Sequence, residues 1–274
     1  MLCWLRSVVL SRSHGCWAPW MSDASSSSRW QETHALFQTR HHSAGKRNTA
    51  TQGNENFALM RRYDIDLVLD VGAFDGQYSR NLIHSGYAGR IISFEPHPDS
   101  FAALSESRRG IRNWKAEPFA LSVKNGSAAL NIIANSNNHS LQNLRVDSAH
   151  RNDETSYVSR VAVRVRRLDA VFDDYYTSGD RCYLKLDVRG HEHQVLAGAS
   201  GCLDRIVAIQ MNLVVEPQYE DQPLWQESLS AMKDRGYELI LLSPERIDPT
   251  TGVMVQAEGI FVRREAIAAS EAAA

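Results

Sequence analysis

DVGAFDG, residues 70–76, follows the apolar run IDLVL and precedes a segment with helical spacing. A strand, a glycine turn and a helix are the unit from which open α/β sheets are built, and such sheets bind ligands at the carboxyl ends of their strands. Which ligand depends on the glycines. They fall at 72 and 76, whereas a dinucleotide fingerprint requires GxGxxG so that the backbone can approach a pyrophosphate. Phe74 stands where that approach would occur, and no Lys-Ser or Lys-Thr follows to make a P-loop. The turn therefore suits a nucleotide-like ligand that is not held by phosphates.

From Phe57 onward, short β-rich runs alternate with helical segments, the pattern of a parallel sheet covered by helices. Helices are predicted over residues 57–63, 78–85, 98–109, 168–175, 192–203 and 223–235, and strands over 67–71, 90–94, 128–134, 182–188 and 206–215. The stretch 114–121 contains Pro118 and reads as strand only at its end. Residues 159–166, SRVAVRVR, alternate strictly, which predicts an edge or surface strand with Arg160, Arg164 and Arg166 outward. Two last strands, 237–242 and 253–262, joined by the turn-rich SPERIDPTTG, predict an antiparallel hairpin. The fold class is α/β: a mixed, mostly parallel sheet of about seven strands, helices on both faces and an antiparallel C-terminal hairpin. Residues 265–274 read as a short frayed tail.

The chain of 274 residues fits one large α/β domain, over residues 56–264, and a hydrophobic fraction of 43% can fill its core. Lys plus Arg number 30 against 32 Asp plus Glu, so the net charge of -2 offers no global attraction for nucleic acid. Cys3, Cys16, Cys182 and Cys202 form no CxxC pair and no disulfide framework, which fits a reducing compartment. The first 55 residues carry four of the six Trp, the run Ser25 to Ser28 and no apolar period, and read as an unstructured extension. A cytoplasmic location is expected. An organelle-type leader, a secretory signal and a mis-called start ahead of Met21 stay open, because no acid precedes Asp23 and Arg6 and Ser7 interrupt a short apolar run. No apolar stretch approaches the roughly 20 residues of a membrane span.

Two acids flank the crevice at the glycine turn. Asp70 ends its strand, where a carboxylate suits an ammonium or sulfonium better than a phosphate. Glu95 ends the next strand in SFEPHP, where a carboxylate can accept both hydrogen bonds of a ribose diol. Pro96 and Pro98 stiffen that loop. A ribose at one strand end and a cationic group at the next describe S-adenosylmethionine. The plainer reading has Asp70 capping the next helix and Glu95 as a solvated strand end.

At this point the sequence resembles the FkbM family of S-adenosylmethionine-dependent methyltransferases, from about Phe57 to Arg264. The matching stretches, in order, are VLDVGAFDGQYS, IISFEPHPDSFAAL, AEPFALSVKNG, LKLDVRGHEHQVLAGA, EPQYEDQPL and GIFVRR. The resemblance implies a Rossmann-like class I methyltransferase fold and O-methylation of a small molecule or sugar. It implies that Gly72, Ala73 and Gly76 lie along the methionine part of the cofactor, that Glu95, with Pro96 beside it, holds the ribose, and that Ala120 and Leu121 cover the adenine. Members often carry Asn where Phe74 stands, an acid or Gln where Arg189 stands and an acid where Asn212 stands. These departures bear on the substrate side.

LKLDVRGHEHQVL puts Asp187 at the end of a core strand with Lys185 two residues earlier on the same side. In the family's fold that strand end lies beside the transferred methyl. The cofactor supplies the electrophile, so the protein positions the acceptor and accommodates its proton. Asp187, Lys185 and His191 are the candidate catalytic residues, His191 because its ordinary pKa lies near neutrality. Glu192 reads as a helix opener. His191 and His193 are two apart and share no helix face, so no metal site is predicted. Asn135, Asn137, Asn138, His139 and Ser140 form a polar loop over the cleft, with acceptor binding and a plain surface loop equally open. The alternatives to a methyltransferase are a nucleotide-dependent oxidoreductase and a non-catalytic cofactor-binding relative.

Overall fold

The computed structural model describes residues 49–133, 139–145 and 157–273. Of the unstructured extension expected over residues 1–55, residues 1–48 lie outside the described residues, as do Asn135, Asn137 and Asn138, whereas residues 49–55 are helical and correct that expectation. In chain order the elements are α1 (Thr49–Arg62), β1 (Leu67–Val71), α2 (Gln77–His84), β2 (Arg90–Phe94), α3 (Pro98–Ser107) and β3 (Trp114–Glu117). There follow β4 (Ala120–Leu121), β5 (Gly126–Ile133), β6 (Tyr157–Arg166), β7 (Cys182–Leu186), α4 (Glu192–Gly198) and β8 (Ile206–Val214). The chain ends with α5 (Trp225–Asp234), β9 (Tyr237–Ile247), β10 (Met254–Arg263) and α6 (Arg264–Ala272).

Seven strands form one sheet in the order β3-β2-β1-β7-β8-β10-β9. β3, β2, β1, β7 and β8 run parallel, and β10 is antiparallel to both β8 and β9. The expected mixed sheet with its antiparallel terminal hairpin is thus present. β1 and β7 are buried along their whole length because both faces are covered, and Asp70 and Lys185 are the charged residues in otherwise apolar runs. On one face Leu69, Leu184 and Phe94 pack with Val195 and Leu196 of α4 and Met232 of α5. On the other, Val68, Ile91 and Tyr183 meet Met60 of α1, Leu82 of α2 and Ala266 of α6. The strand order reverses between β1 and β7, which opens a crevice above their carboxyl ends. Among the described residues no helix is long and apolar enough to cross a membrane.

A second, three-stranded sheet, β4-β6-β5, stands beside the first. It corrects two expectations. Residues 114–121 make two strands in different sheets, parted at Pro118, and β6 is the central strand of the small sheet, not an edge. Arg160 and Arg164 do face outward, with Arg160 Nε donating to Asn131 Oδ1 at 2.8 Å. Residues 168–175 have helical spacing yet form only a 3-10 turn at Phe172–Asp174. Asp169 explains this: its N–H donates to Gly198 O and its carboxylate pairs with Arg167, ties that hold the segment's start in a turn. The tail expected to fray is helix α6, built from good helix formers and anchored by buried Ala266. β9 also runs on through SPERI, since an edge strand tolerates Pro244, and Asp248 Oδ1 turns the chain by accepting from the N–H groups of Thr250 and Thr251.

Candidate active site

β1, β2 and β7 deliver their last residues to the crevice. After β1 the chain turns through Gly72 at φ +78° and Phe74 at φ +50°. A Cβ on Gly72 would be driven into the carbonyl oxygen of Asp187, so glycine is what lets the turn cross the end of β7. Gly76, at φ +85°, is buried behind the turn, where a Cβ would lie 2.8 Å from Trp114 and Leu104. Gly76 thus serves packing and the start of α2. Ala73 lines the cleft along the turn.

Glu95 is 7% exposed and faces the crevice with both oxygens anchored: Phe74 N–H donates to Oε2 and His97 N–H to Oε1, each at 2.8 Å. Burial pushes its carboxyl up to about 7, against the two N–H bonds, which pull it down. Asp70 behaves otherwise. It is fully buried, accepts from Ser79 Oγ at 2.8 Å and pairs with Lys185 Nζ at 3.2 Å. The cation it meets is therefore inside the protein, and the expected sulfonium contact gives way to a buried ion pair.

Lys185 also lies 3.8 Å from Asp187 and 4.7 Å from the centre of the Tyr78 ring. Burial lowers its pKa, but Asp70 and then Asp187 outweigh that and leave it above the ordinary lysine value. It is an ammonium, able to orient but not to act as base. Asp187 accepts from Asn212 Nδ2 at 3.2 Å and pairs with Arg189 Nε at 3.3 Å. Burial works to raise its carboxyl, yet Arg189 first and Lys185 next hold it below the ordinary aspartate value. His191 stands on the other side of the cleft. Burial pushes it down to about 4, so it is neutral near pH 7; its Nε2 lies 2.9 Å from Ser122 Oγ, and its buried Nδ1 has no partner among the described residues. His191 is thus a neutral imidazole in the wall of the slot, a hydrogen-bonding group and at most a weak base.

These groups enclose connected spaces. A narrow slot of about 60 Å³ has Glu95, Pro96, Ala120, Leu121, Val188 and His191 in its walls. His139 and Ser140 of the expected polar loop close it, Ser140 Oγ donating to Arg189 O at 2.6 Å. Ligand clefts run to roughly 300–1,000 Å³, so side chains must yield before a whole cofactor seats. Through Gly72, Phe74, Asp187 and Arg189 the slot meets a cavity of about 170 Å³ along the glycine turn, which Lys185 and Tyr78 also line.

Two further cavities flank the end of β7. One, of about 240 Å³, is lined by Arg189, Glu192, Asn212, Tyr219 and Arg246; the other, of about 230 Å³, by Asn56, Tyr78, Lys185, Asp187, Gln210 and Glu258. Glu192 does open α4, as expected, but its carboxyl is buried and pushed up to about 7 by that burial. Gln210 and Asn56 were not singled out in the sequence. A lone Gln inside the apolar run IVAIQMNLV was a usable signal, since a buried amide must find partners. Asn56, in a polar helical turn, gave none. His193 bonds Ser228 Oγ at 2.8 Å, and among the described residues no three His, Cys, Asp or Glu side chains converge as metal ligands.

Residues 70–239 match the family described as the Methyltransferase FkbM domain. The chain belongs to the FkbM methyltransferase family. Its sheet order and the crevice at β1 and β7 are those of a Rossmann-like class I methyltransferase. Similar solved structures include an rRNA methylase from Streptococcus thermophilus, at 11% identity and a TM-score of 0.44, over 80% of this chain and 99% of that one. Another is the magnesium protoporphyrin IX methyltransferase ChlM of Synechocystis PCC 6803 with bound SAM, at 11% identity and a TM-score of 0.43, over 88% and 92%. A comparison with curated proteins finds no match. In this FkbM protein Phe74 and Arg189 both adopt the left-handed backbone region and both line the slot.

Proposed function

We propose that this FkbM protein binds S-adenosylmethionine across the slot and the glycine-turn cavity and methylates a hydroxyl oxygen of a small molecule or sugar. The observation that carries the reading is Glu95, a carboxylate fixed by two backbone N–H groups at the tip of β2 with its free lone pairs toward the crevice. The donor set fits the cofactor. Glu95 would accept from the ribose hydroxyls, and Ala120, Leu121 and Val188 would sandwich the adenine.

When bound, the cofactor supplies an electrophilic methyl. This chain's part is to hold the acceptor oxygen in line with it and keep water away. Lys185 fixes Asp187, and Asp187 orients the hydroxyl by accepting its proton in a hydrogen bond. An acceptor oxygen that gained the methyl would become strongly acidic. Even a carboxylate held at low pKa then receives the proton. No stronger base is required.

The ion pair of Arg189 on Asp187 favours a second reading, a relative that binds cofactor without turnover. Calorimetry of the full chain with S-adenosylmethionine, S-adenosylhomocysteine and NADH tests the first reading: binding of the two sulfur nucleotides supports it, and binding of NADH alone sinks it. Cofactor binding with no labelled methyl appearing on any of a panel of hydroxylated metabolites and glycans would favour the second.

A further inference from the structure

The cavity of about 240 Å³ beside the end of β7 brings two guanidinium groups to one space, Arg189 from the turn after β7 and Arg246 from β9. Both reach solvent: the Arg189 side chain is 26% exposed, and Arg246 is exposed on the edge strand. Arg189 holds one ion pair, Nε to Asp187 Oδ1 at 3.3 Å. Among the described residues Arg246 holds none, and neither side chain donates a hydrogen bond. Partial enclosure first, and the like charge of Arg189 with it, hold Arg246 below the ordinary arginine value against the pull of Glu245.

Two guanidinium forks with their donors unspent suit an oxyanion, whose oxygens can take paired N–H bonds from each. The acids in the same walls compete little. Glu245 Oε2 accepts from Gln256 Nε2 at 2.6 Å, and burial pushes Glu192 up to about 7, so that near neutral pH a large part of it is uncharged. Gln222 accepts the N–H groups of Gln218 and Tyr219 through Oε1, which leaves its amide nitrogen as a further donor in the wall. An ammonium would meet both guanidinium groups, and a neutral ligand would leave their charges unanswered. Arg189 also walls the slot and the glycine-turn cavity, so an anion held on it lies next to Asp187. Such an anion would share the guanidinium with Asp187 and loosen the ion pair that favours binding without turnover.

We propose that this cavity is an oxyanion site, formed by Arg189 and Arg246, that selects acceptors carrying a carboxylate or phosphate group beside the hydroxyl to be methylated. Its role in choosing the acceptor rests on the methyl-transfer reading above. Oxyanion binding itself does not.

The test is calorimetry and isotope-labelled methyl transfer on the full chain, with three pairs of probes alike but for charge: methyl glucuronide and methyl glucoside, glucose 6-phosphate and glucose, 4-hydroxybenzoate and 4-hydroxybenzamide. At least one anion should bind at least tenfold more tightly than its neutral partner and accept methyl in preference to it. Preference for a carboxylate or for the phosphate then names the source of the oxyanion. Arg246→Gln should weaken that anion at least tenfold, seen in KM rather than kcat, with S-adenosylmethionine affinity within twofold of the parent. Arg246→Lys, which keeps the charge and loses the fork, should fall between. Arg246 is exposed at the sheet edge, so neither variant disturbs the core. Failure of every anion to bind, equal binding within every pair, or anion affinity untouched by Arg246→Gln each overturns the site. Methyl transfer to the neutral partners alone would sink the site and leave the methyltransferase reading standing. Anion binding that Arg246→Gln removes, in a chain that binds no S-adenosylmethionine, would leave the oxyanion site standing and sink the methyltransferase reading alone.

Discussion

Glu95 reaches the crevice with each oxygen already holding one backbone N–H, so its orientation does not depend on a ligand. Replacing it by Ala strands the ribose hydroxyls it would accept, at roughly 1.5–3 kcal/mol for charge-assisted bonds. Glu95→Ala is expected to weaken S-adenosylmethionine at least tenfold by calorimetry, and unchanged affinity would show that the ribose is held elsewhere. The carboxyl is raised to about 7 by burial, so it takes up a proton as pH falls through that value and loses charge for the ribose to meet. Affinity should rise with pH through about 7 and level off above, and Glu95→Gln should flatten that profile. Phe74 shows what the sequence could and could not say. Its bulk argued against a dinucleotide turn, but the contribution seen in the structure comes from a backbone N–H in the left-handed region, which a side-chain reading does not reveal. A non-glycine residue there costs on the order of 1–3 kcal/mol, and Asn, frequent at this position in the family, adopts the region more readily. Phe74→Asn should raise the thermal midpoint by about 2–4 °C and keep the Glu95 contact; a lower midpoint would mean that the packing of the Phe ring outweighs the strain.

Among the elements, β1, β2, β7 and β8 were legible because a strand covered on both faces is mostly apolar rather than alternating. The small sheet was not. Pro118 in WKAEPFAL marks the break between β3 and β4, but which sheet each strand joins is decided by partners elsewhere in the chain. The same holds for 168–175, where the helical period is present but polar ties from Asp169 to Arg167 and Gly198 win. Gly198 closes α4 against the exit of β4, and a Cβ there would run into the carbonyl oxygen of Ser122, the residue that holds His191. Gly198→Ala should therefore cost about 1–3 kcal/mol, the range of an overpacked core site, measured by denaturant melts. A neutral outcome would show that α4 can slide away from β4 freely.

At the scale of the molecule, the sequence carried the mostly parallel sheet and its antiparallel terminal hairpin, because alternation of strand and helix implies a parallel sheet, whereas the strand order came only with the structure. It did not carry the cavities. Asn56, Gln210 and Glu192 come from α1, β8 and α4, and only folding brings such separate segments to the end of β7. One architectural fact has mechanical weight. Glu95 and Asp187 directly follow strands of the large sheet, whereas Ala120, Leu121 and Leu130 belong to the small one, so the slot is a seam between two separate sheets. A nucleoside wedged there would act as mortar. Amide exchange along β4 and β5 should slow on adding S-adenosylhomocysteine as much as exchange in the glycine turn does, and protection confined to the turn would mean that the two sheets are already bonded without it.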